Sequence, residues 1–253
     1  MSDTWVKVSR ITHCCTLIDF SGVVLLTDPW FSERFAYHRG EPLGLTVADL
    51  PTLAGILVSH DHYDHNDMRA FSQYRDKTVP VLAEQAAANR ARRTGFAQAA
   101  ALGTWQRASI QDISITAVPA LHGVPEIGFV LQAGGLTVYF GGDTMHIPEL
   151  SRLANEFPPI DIALLPINGL RVFGKQVVMD PLQAADLCAI LKPRVAIPTH
   201  YAFTGGWLTD TLVLKYFAEQ RLLTRMFIDA VVKVGTDTEV VVLAPGTSYT
   251  TKH

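Results

Sequence analysis

The chain has 253 residues, 48% of them apolar, and a formal net charge of −3 at pH 7. That length holds one large domain or two small ones, and that apolar share supports a substantial buried core. The near-neutral charge gives no electrostatic footprint for nucleic acid, and no apolar run approaches the ~18 residues of a membrane span.

The first residues, Met1 to Lys7, lack an apolar stretch preceded by basic residues, so no signal peptide is expected. Cys14, Cys15 and Cys188 are odd in number and imply no disulfide framework. The first two sit in an apolar strand pattern and read as core packing. A cytoplasmic protein is the expectation.

Val6 to Phe20 and Val23 to Leu26 read as strands joined by a hairpin at Ser21-Gly22. The second run ends in Thr27-Asp28-Pro29-Trp30, where Asp28 on its own is a turn residue before proline. Residues 31–50 lack periodicity and carry Gly40, Pro42 and Gly44, which predicts a long loop of the kind that shapes a cleft. His13 and His38 are candidates to line it, but neither has ligand spacing, so packing or surface roles are expected.

The apolar run Leu53 to Val58 then meets Ser59-His60-Asp61-His62-Tyr63-Asp64-His65-Asn66-Asp67. Three imidazoles and three carboxylates fall within the eight residues from His60 to Asp67. Helical zinc pairs are spaced by four, whereas His60 and His62 are two apart. In a tight turn after a strand, alternate residues converge, which suits His60, His62 and Asp64 and turns His65 the other way. Two adjacent metal positions fed by one loop is the simplest reading, since imidazole and carboxylate are ordinary ligands for zinc, manganese or iron.

Asn66 or Asp67 is placed to cap a helix through Met68, Phe71 and Tyr74. A short strand at Val79 to Leu82 follows, then a helix from Glu84 to Arg93 closed by Gly95. Arg90, Arg92 and Arg93 at its end read as a solvated face suited to the helix dipole. A strand at Ile110 to Val118 runs toward His122, and a hairpin about Gly134-Gly135 delivers Gly141-Gly142-Asp143. A helix is predicted over Pro148 to Phe157, a strand over Ile160 to Ile167 ending at Asn168, and a helix opened by Asp180-Pro181 that ends at Leu191. Val195 to Pro198 presents Thr199-His200-Tyr201. A last helix around Thr211 to Gln220 and a strand at Glu239 to Leu243 complete the prediction. No linker-like stretch divides the chain, so one domain of two packed sheets flanked by helices is expected.

His60-x-His62-x-Asp64-His65 resembles the signature loop of the metallo-β-lactamase superfamily of hydrolases. The resemblance implies a four-layer αββα sandwich, an α/β fold, over residues 1–253, with halves meeting near residue 110. It also implies a ligand set: His60, His62 and His122 on one metal, Asp64, His65 and His200 on the other, and Asp143 bridging them. In that superfamily an aspartate at the place of Asp28 supports the histidine loop without binding metal. Thr27-Asp28-Pro29-Trp30 and Pro198-Thr199-His200-Tyr201 are similar to the branch near ascorbate-6-phosphate lactonases and N-acylphosphatidylethanolamine phospholipase D. Secreted zinc β-lactamases commonly carry a cysteine where Asp143 stands here, and a transfer-RNA nuclease is disfavoured by the missing basic surface.

The implied cofactors are two divalent ions, zinc first, with manganese or iron also compatible, and the implied nucleophile is a hydroxide bridging them. The expected substrate is a small molecule with a phosphodiester, ester or lactone bond, lipid-like molecules included, and a homo-oligomer is compatible with the chain. Asp64 and Asp143 carry catalysis on this reading, with His146 a candidate proton donor and Asn168 and Tyr201 candidates for substrate contact. Tyr63 and Arg171 are weaker candidates. The rival readings are a persulfide dioxygenase with a single iron on the same fold and a binding module without catalysis.

Overall fold

The computed structural model describes residues 4–252. Its first sheet opens as an antiparallel meander of β1 (Trp5–Thr12), β2 (Cys15–Phe20) and β3 (Val23–Thr27), with Val8 opposite Ile18 and Ile18 opposite Leu25. The Ser21-Gly22 turn has φ of 49° and 102°, positive at both positions, which matches the twist of the flanking strands. A two-residue strand, β4 (His38–Arg39), interrupts the long loop. Then β5 (Gly55–Val58), β6 (Val81–Ala83) and β7 (Ala99–Ala101) add in parallel beside β3.

The second sheet repeats this plan. An antiparallel run of β8 (Arg107–Ile110), β9 (Ile113–Pro119), β10 (Ile127–Ala133) and β11 (Leu136–Phe140) is followed in parallel by β12 (Ile162–Pro166). A hairpin of β13 (Arg171–Val172) and β14 (Lys175–Gln176) leaves the sheet before β15 (Val195–Thr199) rejoins it. Two-residue strands β16 (Phe203–Thr204) and β17 (Leu214–Lys215) pair with β4 and β13, and β18 (Glu239–Val240) extends the second sheet beside β15. The last strand, β19 (Ser248–Lys252), crosses back to pair with β1.

Side-chain alternation separates three cores. Leu57 of β5 and Leu164 of β12 point between the sheets, where they join Val8, Ile18, Phe129, Val138 and Ile197. Their neighbours Ile56 and Val58 face outward onto α1 (Met68–Phe71) and α2 (Gln85–Arg93), contributing to a core with Phe71 and Ala91. Ala163 and Leu165 face the other way, onto α3 (Leu153–Glu156), α4 (Pro181–Leu191) and, beyond the short α5 (Trp207–Leu212), the long α6 (Gln220–Val234). The period of two along each strand thus builds four layers, helix–sheet–sheet–helix. This is the expected fold class.

Several elements differ from the sequence reading. Val6 to Phe20 is two strands, not one, because the chain turns at His13-Cys14. Both residues are buried, so the turn carries none of the exposed Gly, Asn or Asp chemistry that marks such a place. The helix expected around 211–220 is instead α5 and then α6, whose buried Leu223, Phe227, Ala230 and Val231 form one helical face. The helix through Tyr74 ends at Phe71 after one turn, and Pro148–Arg152 winds as a 3₁₀ helix before α3. Asp180 caps α4 as expected, accepting from the backbone N–H groups of Leu182 and Gln183.

Because α6 is held by its buried face rather than by its exposed one, Phe227→Ala is expected to lower unfolding stability by about 3–5 kcal/mol. Val232→Ala, on the exposed face, should stay within about 0.5 kcal/mol. Urea denaturation of the two variants checks this; equal effects would mean that α6 does not pack as described.

Candidate metal centre

Parallel strands place their carboxyl ends on one side of a sheet, and loops leaving those ends converge. Here β5 runs into Ser59 and the histidine loop, β9 leads to His122, β11 to Asp143 and β15 to His200. The loop folds tightly, since the His62 carbonyl accepts from both His65 N–H (3.2 Å) and Asn66 N–H (2.8 Å). Asp61 turns away from the cluster and accepts from Arg90 Nη2 (2.8 Å) and Asn66 Nδ2 (2.6 Å). At the Asp143 end, Gly142 has φ of 65°, and a Cβ there would collide with Glu126 and Ser59. Only glycine lets the chain turn so close to the histidine loop.

The result is a set of converging nitrogens and oxygens. His60 Nε2 and His122 Nε2 lie 2.9 and 3.2 Å from His62 Nδ1. Asp143 Oδ2 lies 2.8 Å from His200 Nε2, 3.2 Å from His65 Nε2, 3.9 Å from His122 Nε2 and 4.0 Å from His60 Nε2. Asp64 Oδ2 is 3.7 Å from His65 Nε2, 3.9 Å from His200 Nε2 and 3.3 Å from His13 Nε2. Two ligand atoms bonded to one ion at ~2.1 Å stand roughly 3.0–3.5 Å apart. The His60, His62 and His122 atoms group about one point, those of Asp64, His65 and His200 about a second, and Asp143 Oδ2 reaches both.

The second nitrogen of three imidazoles is anchored. His65 Nδ1 donates to Asp28 Oδ2 (2.7 Å), and the same carboxylate accepts from Ser59 N–H and Ser59 Oγ (both 2.7 Å). His122 Nδ1 donates to the Val177 carbonyl at 2.7 Å. His60 Nδ1 lies 2.9 Å from Ser59 Oγ and 3.2 Å from Glu126 Oε1, which also accepts from Asp143 N–H (2.7 Å). Asp28 therefore orients the His65 ring and ties down its loop without joining the cluster. Glu126 and Ser59 do related work, and neither was singled out by its sequence position.

Charge follows burial. Burial lowers the pKa values of His60 and His62 to about 3 and about 4, which keeps both imidazoles neutral, as ligation requires. Burial likewise lowers His13 to about 3. Burial opposes charge on His65 too, yet the carboxylates of Asp143, Asp64 and Asp28 outweigh it and raise its pKa well above the usual value. The same crowding holds Asp143 well below the usual carboxylate range, His200 and His65 overcoming its burial. Burial pushes Glu126 up to about 8.

A divalent cation fits this set. His65 Nε2 and His200 Nε2 are buried without a hydrogen-bond partner among the described residues, although each lies within 3.2 Å of Asp143 Oδ2. Close but misaligned pairs of this kind arise when both atoms aim at a third. A cation at that point would also replace the proton that three carboxylates draw to His65.

A cleft of about 450 Å³ opens over the cluster. His62, Asp64, His122, Asp143 and His200 line it, with apolar walls that include Leu170, Val177, Phe203 and Leu214 and one cationic side chain, Lys175. The candidate substrate contacts lie elsewhere. Asn168 is buried and turns its Oδ1 to Leu170 N–H (3.0 Å), as a strand-end turn residue does. Tyr201 donates to the Leu243 carbonyl (3.3 Å) and stacks under Arg10. His146 is outside the cleft lining and contacts no member of the cluster among the described residues. Tyr63 hydrogen-bonds Ser32 Oγ at 2.5 Å, and Arg171 is exposed on the hairpin. A place near the cluster in sequence, or at a strand end beside it, set the backbone of these residues and not the direction of their side chains. His13 is the converse: it lacks sequence spacing yet sits inside the cluster.

Asp28→Asn is expected to weaken metal binding roughly 10–100-fold while the fold persists. Asparagine tolerates the positive φ of 37° at this position but loses the charge and one acceptor facing His65 and Ser59. Competition against a chelator of known affinity checks the change, and unaltered affinity would reduce Asp28 to a turn residue.

Residues 24–201 match the family model described as the beta-lactamase superfamily domain. A UPF0173 metal-dependent hydrolase of Thermococcus kodakarensis is 30% identical over 204 residues, covering 78% of this chain and 84% of that protein. Another, from Methanopyrus kandleri, is 26% identical over 257 residues and covers 96% of this chain and 99% of its own. Among solved structures, a metallo hydrolase from Ignicoccus hospitalis superposes with a TM-score of 0.74 at 21% identity, over 98% of this chain and 99% of that one. The solved structures show the shared fold, and the family match and the Thermococcus relative show more than the fold. The chain belongs to the β-lactamase superfamily, among its metal-dependent hydrolases.

Proposed function

We propose that the protein is a dinuclear hydrolase acting on a phosphodiester, ester or lactone bond. The observation that carries this reading is the position of Asp143 Oδ2 within 4.0 Å of four imidazole nitrogens drawn from both ligand groups. His60, His62 and His122 would hold one cation, Asp64, His65 and His200 the other, and Asp143 both. Two such ions, zinc or manganese ahead of iron, supply a water of lowered pKa and a positive field for the oxygen that gains charge during hydrolysis. The chain's part is to fix that geometry, through Asp28, Ser59 and Glu126, and to admit the substrate. The apolar walls favour a substrate with a hydrocarbon body, and Lys175 favours negative charge at its other end.

The test is a screen of bis-p-nitrophenyl phosphate, simple lactones and thioesters with zinc, manganese or iron, run in air and under argon. Hydrolysis is expected without oxygen, and Asp143→Asn should lower it at least ~10²-fold, because asparagine keeps the shape but removes the shared charge. Oxygen consumption on glutathione persulfide with one iron per chain would overturn the reading in favour of a dioxygenase.

A further inference from the structure

We propose that His13 is an additional protein ligand of the second cation, beside Asp64, His65 and His200. The inference rests on the two-cation reading and adds a residue to it.

His13 stands in the turn between β1 and β2 with φ of 49°, a left-handed conformation uncommon outside glycine that asparagine, aspartate and histidine adopt more readily than other residues. Its side chain is fully buried, with ring centroids 4.0 Å from His200, 5.1 Å from Trp30 and 5.3 Å from His65. Neither ring nitrogen has a hydrogen-bond partner among the described residues. Buried polar atoms left unpaired are rare in folded proteins and call for a specific reason. Packing accounts for the ring but not for its nitrogens.

The geometry supplies the reason. His13 Nε2 lies 3.3 Å from Asp64 Oδ2, the oxygen that also faces His65 Nε2 and His200 Nε2. That is the spacing of neighbouring donors on one ion, and the contact is too poorly aligned to serve as a hydrogen bond. His13, Asp64, His65 and His200 each place one donor atom within 4.8 Å of all the others. A left-handed turn after β1 thus sets an imidazole where a fourth donor belongs.

The consequence is an asymmetric pair. Counting Asp143 for both, the second position has five protein donors and the first has four. Positions closed by protein ligands hold their metal, whereas those kept open take water and substrate. His62 and His122 of the first position and Asp64 and His200 of the second line the cleft, whereas His13 does not. Tighter retention of the metal is therefore assigned to the second position.

The test is elemental analysis of the protein purified without chelator, compared with His13→Gly and His13→Gln. Glycine adopts the φ of the turn freely, so the first variant leaves the backbone unstrained, and glutamine fills most of the buried space. The wild type is expected to carry two ions per chain and each variant about one. Millimolar imidazole should restore the second ion to His13→Gly, a rescue that a packing role would not produce. Two ions in both variants, with wild-type resistance to chelator, would overturn the assignment of His13. One ion in the wild type would overturn the dinuclear reading instead, so the two failures are told apart.

Discussion

The whole arrangement depends on one carboxylate oxygen. Asp143 Oδ2 is buried among imidazoles of both ligand groups, and Asp64 stands beside it with His13, His65 and His200. Carboxylates buried this close repel one another unless positive charge lies between them. A proton on His65, drawn there by the carboxylates, offsets part of that repulsion, and cations in its place would offset more. Each surrounding feature serves that concentration of charge: Asp28 and Ser59 pin the histidine loop, Glu126 holds the Asp143 backbone, and Gly142 lets the two loops approach.

The fold creates the place where such charge can be assembled. Both sheets consist of an antiparallel run followed by parallel strands, and the parallel ends of β5 and β15, with β11, deliver ligands to one edge of the sandwich. Three apolar cores lock the strands on both faces, so these ends are held rigidly while the loops beyond them carry the chemistry. β19, crossing from the second half of the chain to β1, fastens the strand whose end carries His13.

The cluster was legible because histidines and aspartates stand at the ends of apolar runs, three of the histidines within six residues, and because the family resemblance implied His122, Asp143 and His200. The layering was legible too, since alternate residues such as Leu57 and Ile56 point to different cores. What stayed hidden has physical causes. His13 lies in a turn with no exposed polar residue, inside what reads as an unbroken strand. Glu126 follows a proline in a loop with no pattern and gains meaning only from the backbone N–H that it accepts. The amphipathic face of α6 was present in the spacing of Leu223, Phe227 and Val231, but the preceding residues carry enough apolar character to draw the boundary too early. Asn168 and Tyr201 do not line the cleft, because a strand end fixes where a residue is, while its local hydrogen bonds fix where it points.

The most direct test of the central claim is anomalous diffraction from crystals of metal-loaded protein, collected at the absorption edge of the bound metal. Two peaks are expected, about 3.5–4 Å apart and both within bonding distance of the Asp143 carboxylate. A single peak, bound by His60, His62 and His122 and leaving Asp64, His65 and His200 without an ion, would contradict it.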